Sequence, residues 1–401
     1  MSLPAPAELA EISDPPSAPR PIARVAVTRL VLTDFRNHAA LRLDGDGRHV
    51  VLAGDNGTGK TNVLEALSML SPGRGLRRAR LDEMARQGGP GTWTVFAEID
   101  GPDGRVRIGT GSEASGDEEG RGRRVRIDGA PARTADELLA HARLSWLTPA
   151  MDGLFTGPAG DRRRFLDRLV LALDPNHGAR AGAFEKAMRG RNRLLEEPFP
   201  DRDWLGAIET EMADLGVAIA SARVETVACL ARLVAASRAR FPFPHAELRL
   251  DGELETLVGE GRPAAEIEDL YRARLAEGRR RDAAAGRTLD GPHRCDLLVE
   301  HGPKAMPAHL SSTGEQKALL LGLVLAHARL VGETTGRAPV LLLDEVAAHL
   351  DPSRRAQLFD VLDGLGAQSF MTGTDAAAFA ALGERAEVWD FAAAGVTRHP
   401  A

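Results

Sequence analysis

The chain has 401 residues, room for more than one compact unit, and 43% of them are hydrophobic, enough to bury a sizeable core. No run of about 18 apolar residues occurs, and no apolar stretch follows the first charged residue, Glu8, so the sequence reads neither as membrane-spanning nor as opening on a secretory signal. Two cysteines, Cys229 and Cys295, exclude a disulfide framework and a four-cysteine metal site and fit a reducing cytoplasm. The net charge of −6 leans against a nucleic-acid partner only on average, because a local basic face can still bind phosphates.

Residues 1–22 hold six prolines and no apolar periodicity, and are expected to form a disordered leader. Residues 25–35 read as a strand, and His49–Ala53 as a second that runs into Gly54. Helical spacing follows at Val63, Leu64, Leu67 and Leu70. Thr92–Ile99, Arg105–Gly109 and Arg124–Asp128 are β-like, and the Gly-, Ser- and charge-rich 111–122 between them predicts an exposed hairpin loop. From about Asp161 to Arg287 the chain is mostly helical. One long helix is predicted over Trp204–Phe241, stopped by Pro242 and Pro244 and reaching roughly 55 Å, and another over about Ala264–Ala285. Pattern alone leaves two readings of this pair, a hairpin packed on itself or an arm that grips something. From Leu289 α/β character returns. Ala318–Ala328 is apolar on nearly every side, as a buried helix is, and Val340–Leu343 reads as a central parallel strand.

Gly54-Asp55-Asn56-Gly57-Thr58-Gly59-Lys60-Thr61 has the form of a phosphate-binding P-loop, placed after a predicted strand and before a predicted helix that continues with Asn62. Glycines let backbone N–H groups wrap a phosphate without Cβ clashes, and the helix N-terminus adds partial positive charge. Lys60 supplies a point charge for the β/γ-phosphates and Thr61 a hydroxyl for Mg²⁺. Lysine is rare here, confined to positions 60, 186, 304 and 317, which gives its presence in the loop more weight. The apolar run Leu341–Leu343 ends in Asp344 and Glu345. Asp344 is the expected metal-side carboxylate, and Glu345 the group that orients or deprotonates the attacking water. ATP with Mg²⁺ is therefore the expected ligand. The two motifs lie far apart in sequence, so something large is inserted between them.

Between them stands Leu310-Ser311-Ser312-Thr313-Gly314-Glu315-Gln316-Lys317, which reads locally as a helix start capped by Ser312, with Glu315 at the third position after it. The stretch resembles the signature sequence of ABC-type ATPases, and with the long insertion the chain resembles their SMC-like branch. Asp34–Asn37 looks like the family's opening strand. Phe155–Pro158 with Arg162–Asp167, and Arg287–Asp296, resemble segments of the RecF family of bacterial recombination mediators, and the motifs together span about residues 24–375. Cys295 stands where an acidic residue is common, Ser311 where the general signature has Leu, and Thr374 where many ABC ATPases carry His.

That resemblance implies an α/β fold, a P-loop ABC-type ATPase head with an inserted helical arm. The head would comprise 23–158 and 287–401, the arm 159–286. It implies an ATP-driven homodimer in which Ser312 and Gly314 of one subunit complete the other's site. It also implies sequence-independent binding of gapped or duplex DNA, and work with partner mediator proteins in loading a recombinase during repair and replication restart, in the cytoplasm and without a membrane. A hydroxyl at position 374 is no strong base at neutral pH, so slow, DNA-stimulated turnover is implied. Candidate DNA contacts are Arg74, Arg77, Arg78 and Arg80, the Arg121–Arg126 loop and Arg279–Arg281, each of which is equally a solvated charge run. Arg162–Arg164 lies inside a family-like segment and suits a structural role as well. A transporter-type ATPase and a nucleotide-switched scaffold with little turnover are the alternatives.

Overall fold

A computed structural model describes residues 21–112, 122–237, 242–348, 350–392 and 395–399. Residues 1–20 of the expected leader, most of the 111–122 loop and the end of the predicted long helix lie outside these residues, while Ile22, placed in that leader, packs against the core around α7.

Three sheets organise the chain. The first is antiparallel and contains β1 (Ala26–Phe35), β2 (His38–Asp44), β4 (Thr94–Gly101), β5 (Gly104–Ser112), β6 (Arg123–Ile127) and β7 (Ala130–Pro131), in the order β2-β1-β4-β5-β6-β7. The second contains β3 (His49–Gly54), β8 (Leu144–Leu147), β12 (Val340–Leu343), β13 (Ser369–Gly373), β14 (Ala386–Ala392) and β15 (Gly395–Arg398), in the order β15-β14-β3-β13-β12-β8. All its pairings are parallel except β14 with β15. The third is small, with β9 (Ala246–Asp251), β10 (Asp296–His301) and β11 (Met306–Pro307).

The parallel strands are continuously apolar because both faces are covered. In β12, Val340 and Leu342 enter the core shared with the antiparallel sheet, while Leu341 and Leu343 enter the opposite core. β3 divides in the same way, with Val50 and Leu52 on one side and Val51 and Ala53 on the other. Helix α1 (Lys60–Ser68) joins the first core through Val63, Leu64, Ala66 and Leu67. On the other face lie α2 (Ala159–Leu173), α7 (Thr313–Thr335) and α8 (Pro352–Gly364). By length and hydropathy alone α7 could cross a membrane, but 78% of its apolar window is buried in the protein, as befits a core helix.

The remaining helices are α3 (His177–Leu195), α4 (Arg202–Ser237), α5 (Glu253–Gly259) and α6 (Ala264–Ala285). Between them α3, α4 and α6 enclose a separate core of Phe184, Met212, Val217, Tyr271 and Leu275. The helices pack on one another, yet α4 also reaches the head, placing Val227, Leu230 and Val234 in the α2/α7 core. The helical stretch read from sequence contains one strand it did not predict. β9 alternates exposure along Ala246–Asp251 and pairs antiparallel with β10, far away in sequence.

Buried in α7, His327 donates from Nε2 to the Leu169 carbonyl at 2.9 Å, and its Nδ1 has no partner. Burial pushes its pKa down to about 4. The unfolded chain takes up this proton near pH 6.5, so between pH 6.5 and 4 the unfolded state binds more protons and stability falls with falling pH. Urea titrations should show a loss of about 3 kcal/mol from this group between pH 7 and pH 4. His38, His49 and His293, also lowered by burial, act in the same direction. A flat pH profile would contradict this account.

Candidate nucleotide site

Three neighbouring parallel strands end side by side. β3 runs into the P-loop, β12 into Asp344 and β13 into Thr374, with Ala53 in register with Gly373 and Leu343 with Met371. Ligands of open parallel sheets collect at such carboxyl ends.

Gly54, Gly57 and Gly59 all take positive φ, at 138°, 85° and 103°. Gly54 also has a packing reason to be glycine, since a Cβ there would lie 2.1 Å from the Phe391 carbonyl oxygen of β14. Helix α1 starts at Lys60 with no side-chain cap, leaving its first amides free to meet an anion. The Lys60 ammonium lies in the loop, donating to the carbonyls of Gly54 and Asp55 at 2.6 Å each. Burial lowers its pKa, while Glu345, Asp344 and Asp55 act to raise it.

The decisive contact joins the two distant motifs. Thr61 Oγ1 donates to Asp344 Oδ1 at 3.0 Å. The same carboxylate oxygen accepts from Thr372 Oγ1 at 2.7 Å, and that hydroxyl accepts from the Glu345 amide at 2.9 Å. Glu345 is exposed and holds a positive φ of 54°, a costly conformation for a non-glycine residue that the Thr372 bond helps fix. One hydroxyl and one carboxylate at the helix start suit Mg²⁺, which takes few protein oxygens and fills its octahedron with phosphate and water. No cluster of three or more His, Cys, Asp or Glu that could cage a metal occurs among the described residues.

The turn at residues 34–38 makes contacts with the P-loop and α1 that sequence reading missed. Asn37 donates to the Thr58 carbonyl at 3.3 Å and accepts from Asn62 at 2.7 Å. His38 Nε2 donates to the Gly59 carbonyl at 3.2 Å. Arg36 grips the buried Glu65 of α1 with bonds of 2.8 and 2.5 Å, and Arg77 adds a third at 2.8 Å. Asp34–Asn37 is accordingly the end of β1 and the turn into β2, with Asp34 and Arg36 at positive φ. The resemblance of Asp34–Asn37 to the family's opening strand points at this loop but not at its contacts, and periodicity gives no sign of them.

Ser312 begins α7 with a reciprocal capping box. Its hydroxyl accepts from the Glu315 amide and its own amide donates to the Glu315 carboxylate at 3.1 Å. Ser312 and Gly314 are exposed, and with Asp344 and Glu345 they line a groove of about 540 Å³ to which the P-loop contributes no residue among those described. Within one chain, then, the structure joins Lys60, Thr61, Asp344 and Glu345, and leaves Ser312 and Gly314 on an open rim.

The RecF/RecN/SMC N-terminal domain family matches residues 26–389. The chain is 64% identical over 364 residues to the DNA replication and repair protein RecF of Rhizobium meliloti (strain 1021), covering 91% of this chain and 96% of that protein. The chain belongs to the RecF family. Its Agrobacterium fabrum relative of the same name is 59% identical over 375 residues, 93% of this chain and 99% of that one. Among solved structures, a recombination mediator protein RecF-ATPrS matches with TM-score 0.80 at 23% identity, over 94% of this chain and 98% of the other. An SMC head bound to the C-winged helix domain of ScpA matches with TM-score 0.53 at 15% identity, over 93% and 97%. These likenesses establish the fold, an α/β ABC-type ATPase head of the SMC kind.

The two RecF-like segments meet each other away from the P-loop. Arg162 makes a two-pronged ion pair with Asp296, at 2.8 and 2.7 Å, and Arg163 donates to the Cys295 carbonyl at 2.7 Å. Cys295 is fully buried, and burial pushes its thiol pKa up, so it is an inert packing residue. Thr374 is exposed at the end of β13, next to the P-loop strand.

Proposed function

We propose that this chain binds ATP with Mg²⁺ and dimerises head to head around it, on gapped or duplex DNA, in the service of recombinational repair. The Thr61–Asp344 hydrogen bond carries the reading, because it brings the P-loop and the acidic strand end to one metal-sized position. Lys60 and the α1 amides would bind the phosphates; the loop from Gly54 to Asn62 would enclose them. Mg²⁺, held by Thr61 and Asp344, would neutralise phosphate charge. Glu345 would orient the attacking water, and the Thr374 hydroxyl would leave turnover slow.

Ser312 and Gly314 would close the partner subunit's site. Their exposure, with Leu310 62% exposed beside them, supports a surface that is completed by a second copy. ATP would then be a ligand that favours the dimer, and hydrolysis would release it. Light scattering tests this. Ser312→Ala should keep monomer ATP binding and lose the ATP-dependent mass increase, while Glu345→Gln should hold the dimer after ATP is added. ATP-independent dimerisation in both variants would rule the mechanism out.

For DNA, most arginines singled out in the sequence are engaged internally. Arg77 binds Glu65, Arg80 binds Asp82, Arg279 binds Glu209 and Arg281 binds Asp290. A cavity of about 890 Å³ on the antiparallel lobe is nevertheless lined by Arg74, Arg80, Arg123, Arg124, Arg126 and Arg133. Arg74, Arg126 and Arg133 have no ion pair among the described residues, which suits them to phosphate contacts. Arg123, by contrast, is half-buried and donates to the Ser71 and Gly73 carbonyls at 2.9 and 3.0 Å, just beyond α1. Partner mediator proteins would complete the assembly, and stimulation of turnover by DNA is part of the same proposal.

A further inference from the structure

The far end of the arm carries two large apolar side chains in open solvent, Phe199 at 93% and Trp204 at 60% exposure. Phe199 lies in the turn between α3 and α4 and Trp204 in the first turn of α4, both between the buried Leu195 and Leu205. The turn is held in place. The Glu196 and Glu197 amides donate to the Arg193 and Leu194 carbonyls at 3.2 Å each. Asp201 caps α4, accepting from the amides of Asp203 and Trp204 at 2.9 and 3.1 Å. Pro198 and Pro200 restrict the backbone on either side of Phe199. Aromatic side chains on a preorganised backbone lose little freedom on docking, and tryptophan is prominent among the residues that anchor protein interfaces.

The surrounding charge selects the partner. Glu196, Glu197, Asp201 and Asp203 lie in and beside the turn against two cations, Arg202 and the exposed Arg193 in the last turn of α3. On the neighbouring α6, Arg279 is bound to Glu209 and Arg281 to Asp290, which leaves Arg280. An acidic rim repels a phosphate backbone and an anionic lipid surface. Two copies meeting tip to tip would set the same carboxylates against each other. A protein cleft with an apolar floor and a basic rim fits both features. We infer that the α3–α4 turn is a docking surface for another protein with such a cleft. The inference does not rest on the nucleotide reading, since the tip is built on the arm's own core.

The test is a photo-cross-linking phenylalanine analogue at position 199 of the full-length chain, irradiated in native host cells. The expected result is an adduct with another protein that falls at least 5-fold on adding Trp204→Ala, and equally on adding Glu196→Lys with Glu197→Lys. The purified cross-linked protein should bind the unmodified chain more weakly as salt rises. No protein adduct, an adduct to nucleic acid, lipid or a second copy, or a protein adduct indifferent to these changes overturns the inference. ATP titration of each variant reports folding at a distant site. Failure of the unmodified chain to bind ATP would sink the proposed function and leave the docking inference standing.

Discussion

Lys60→Ala should weaken ATP binding by about 10- to 100-fold, the range expected when a charge-assisted hydrogen bond of about 1.5–3 kcal/mol is removed. The ammonium is nearly buried and already positioned by two backbone carbonyls of the loop it serves. Little ordering therefore remains to oppose phosphate binding, and the two lysines of the adjoining groove, Lys304 and Lys317, are paired with Glu315 and Asp152. Lys60→Arg should not restore affinity, because the planar fork cannot occupy the place of a compact ammonium enclosed by loop carbonyls. Titration with a fluorescent ATP analogue measures the effect, with circular dichroism as the control for folding. ATP-dependent dimerisation should be lost in parallel, and near-normal affinity in Lys60→Ala would mean that nucleotide binds elsewhere.

Arg191→Ala should destabilise the arm by about 3–5 kcal/mol, the usual result of removing one member of a buried ion network. Arg191 is fully buried. It donates to Glu209 at 2.9 Å, Asp282 at 2.7 Å, Thr288 at 2.9 Å and the Leu275 carbonyl at 2.7 Å. These bonds tie α3 to α4, to α6 and to the strap that follows α6. Truncation leaves the buried Asp282 with only the longer bonds from Arg281 and the Leu289 amide, at 3.4 and 3.3 Å, and takes one of two arginines from Glu209, on which Arg279 retains its own hold. Chemical denaturation should show an early transition assigned to the arm. ATP affinity below that transition should be unchanged, because the arm's core is separate from the one around α1. Loss of ATP binding together with arm stability would show instead that the two cores unfold as one.

The parts of the fold legible in sequence were those with a local cause. Val340–Leu343 is apolar throughout because alternate residues serve two cores. Glycines punctuate the P-loop because the backbone there turns left-handed. α6 is readable at both ends, Ala264 and Ala285, since Pro263 precedes it and Gly286 closes it in the left-handed conformation. What stayed hidden was long-range. β9 has its pairing partner in β10, across the whole of α6, and its exposed alternation carries little apolar signal. Asn37 and His38 support the P-loop through bonds to its carbonyls, and an Asn–His pair after a strand announces no such role. The arginine clusters misled for the converse reason. Residues dense in sequence proved to be distributed among separate carboxylates, a matter of packing that charge counting cannot reach.

Helix α4 gives the arm a mechanical meaning. Its 36 residues form one continuous rod of about 54 Å. Its first turn carries Trp204 and follows Phe199, and its last turns, at Val227, Leu230 and Val234, share a core with α7. α7 in turn starts at Ser312, on the open rim beside Asp344 and Glu345. A load applied at the tip acts on this core with a long lever, and a small tilt of α7 becomes a large swing outside. Under the proposed function the arm would be both a pointer that reports the posture of α7 and a handle by which that posture is turned.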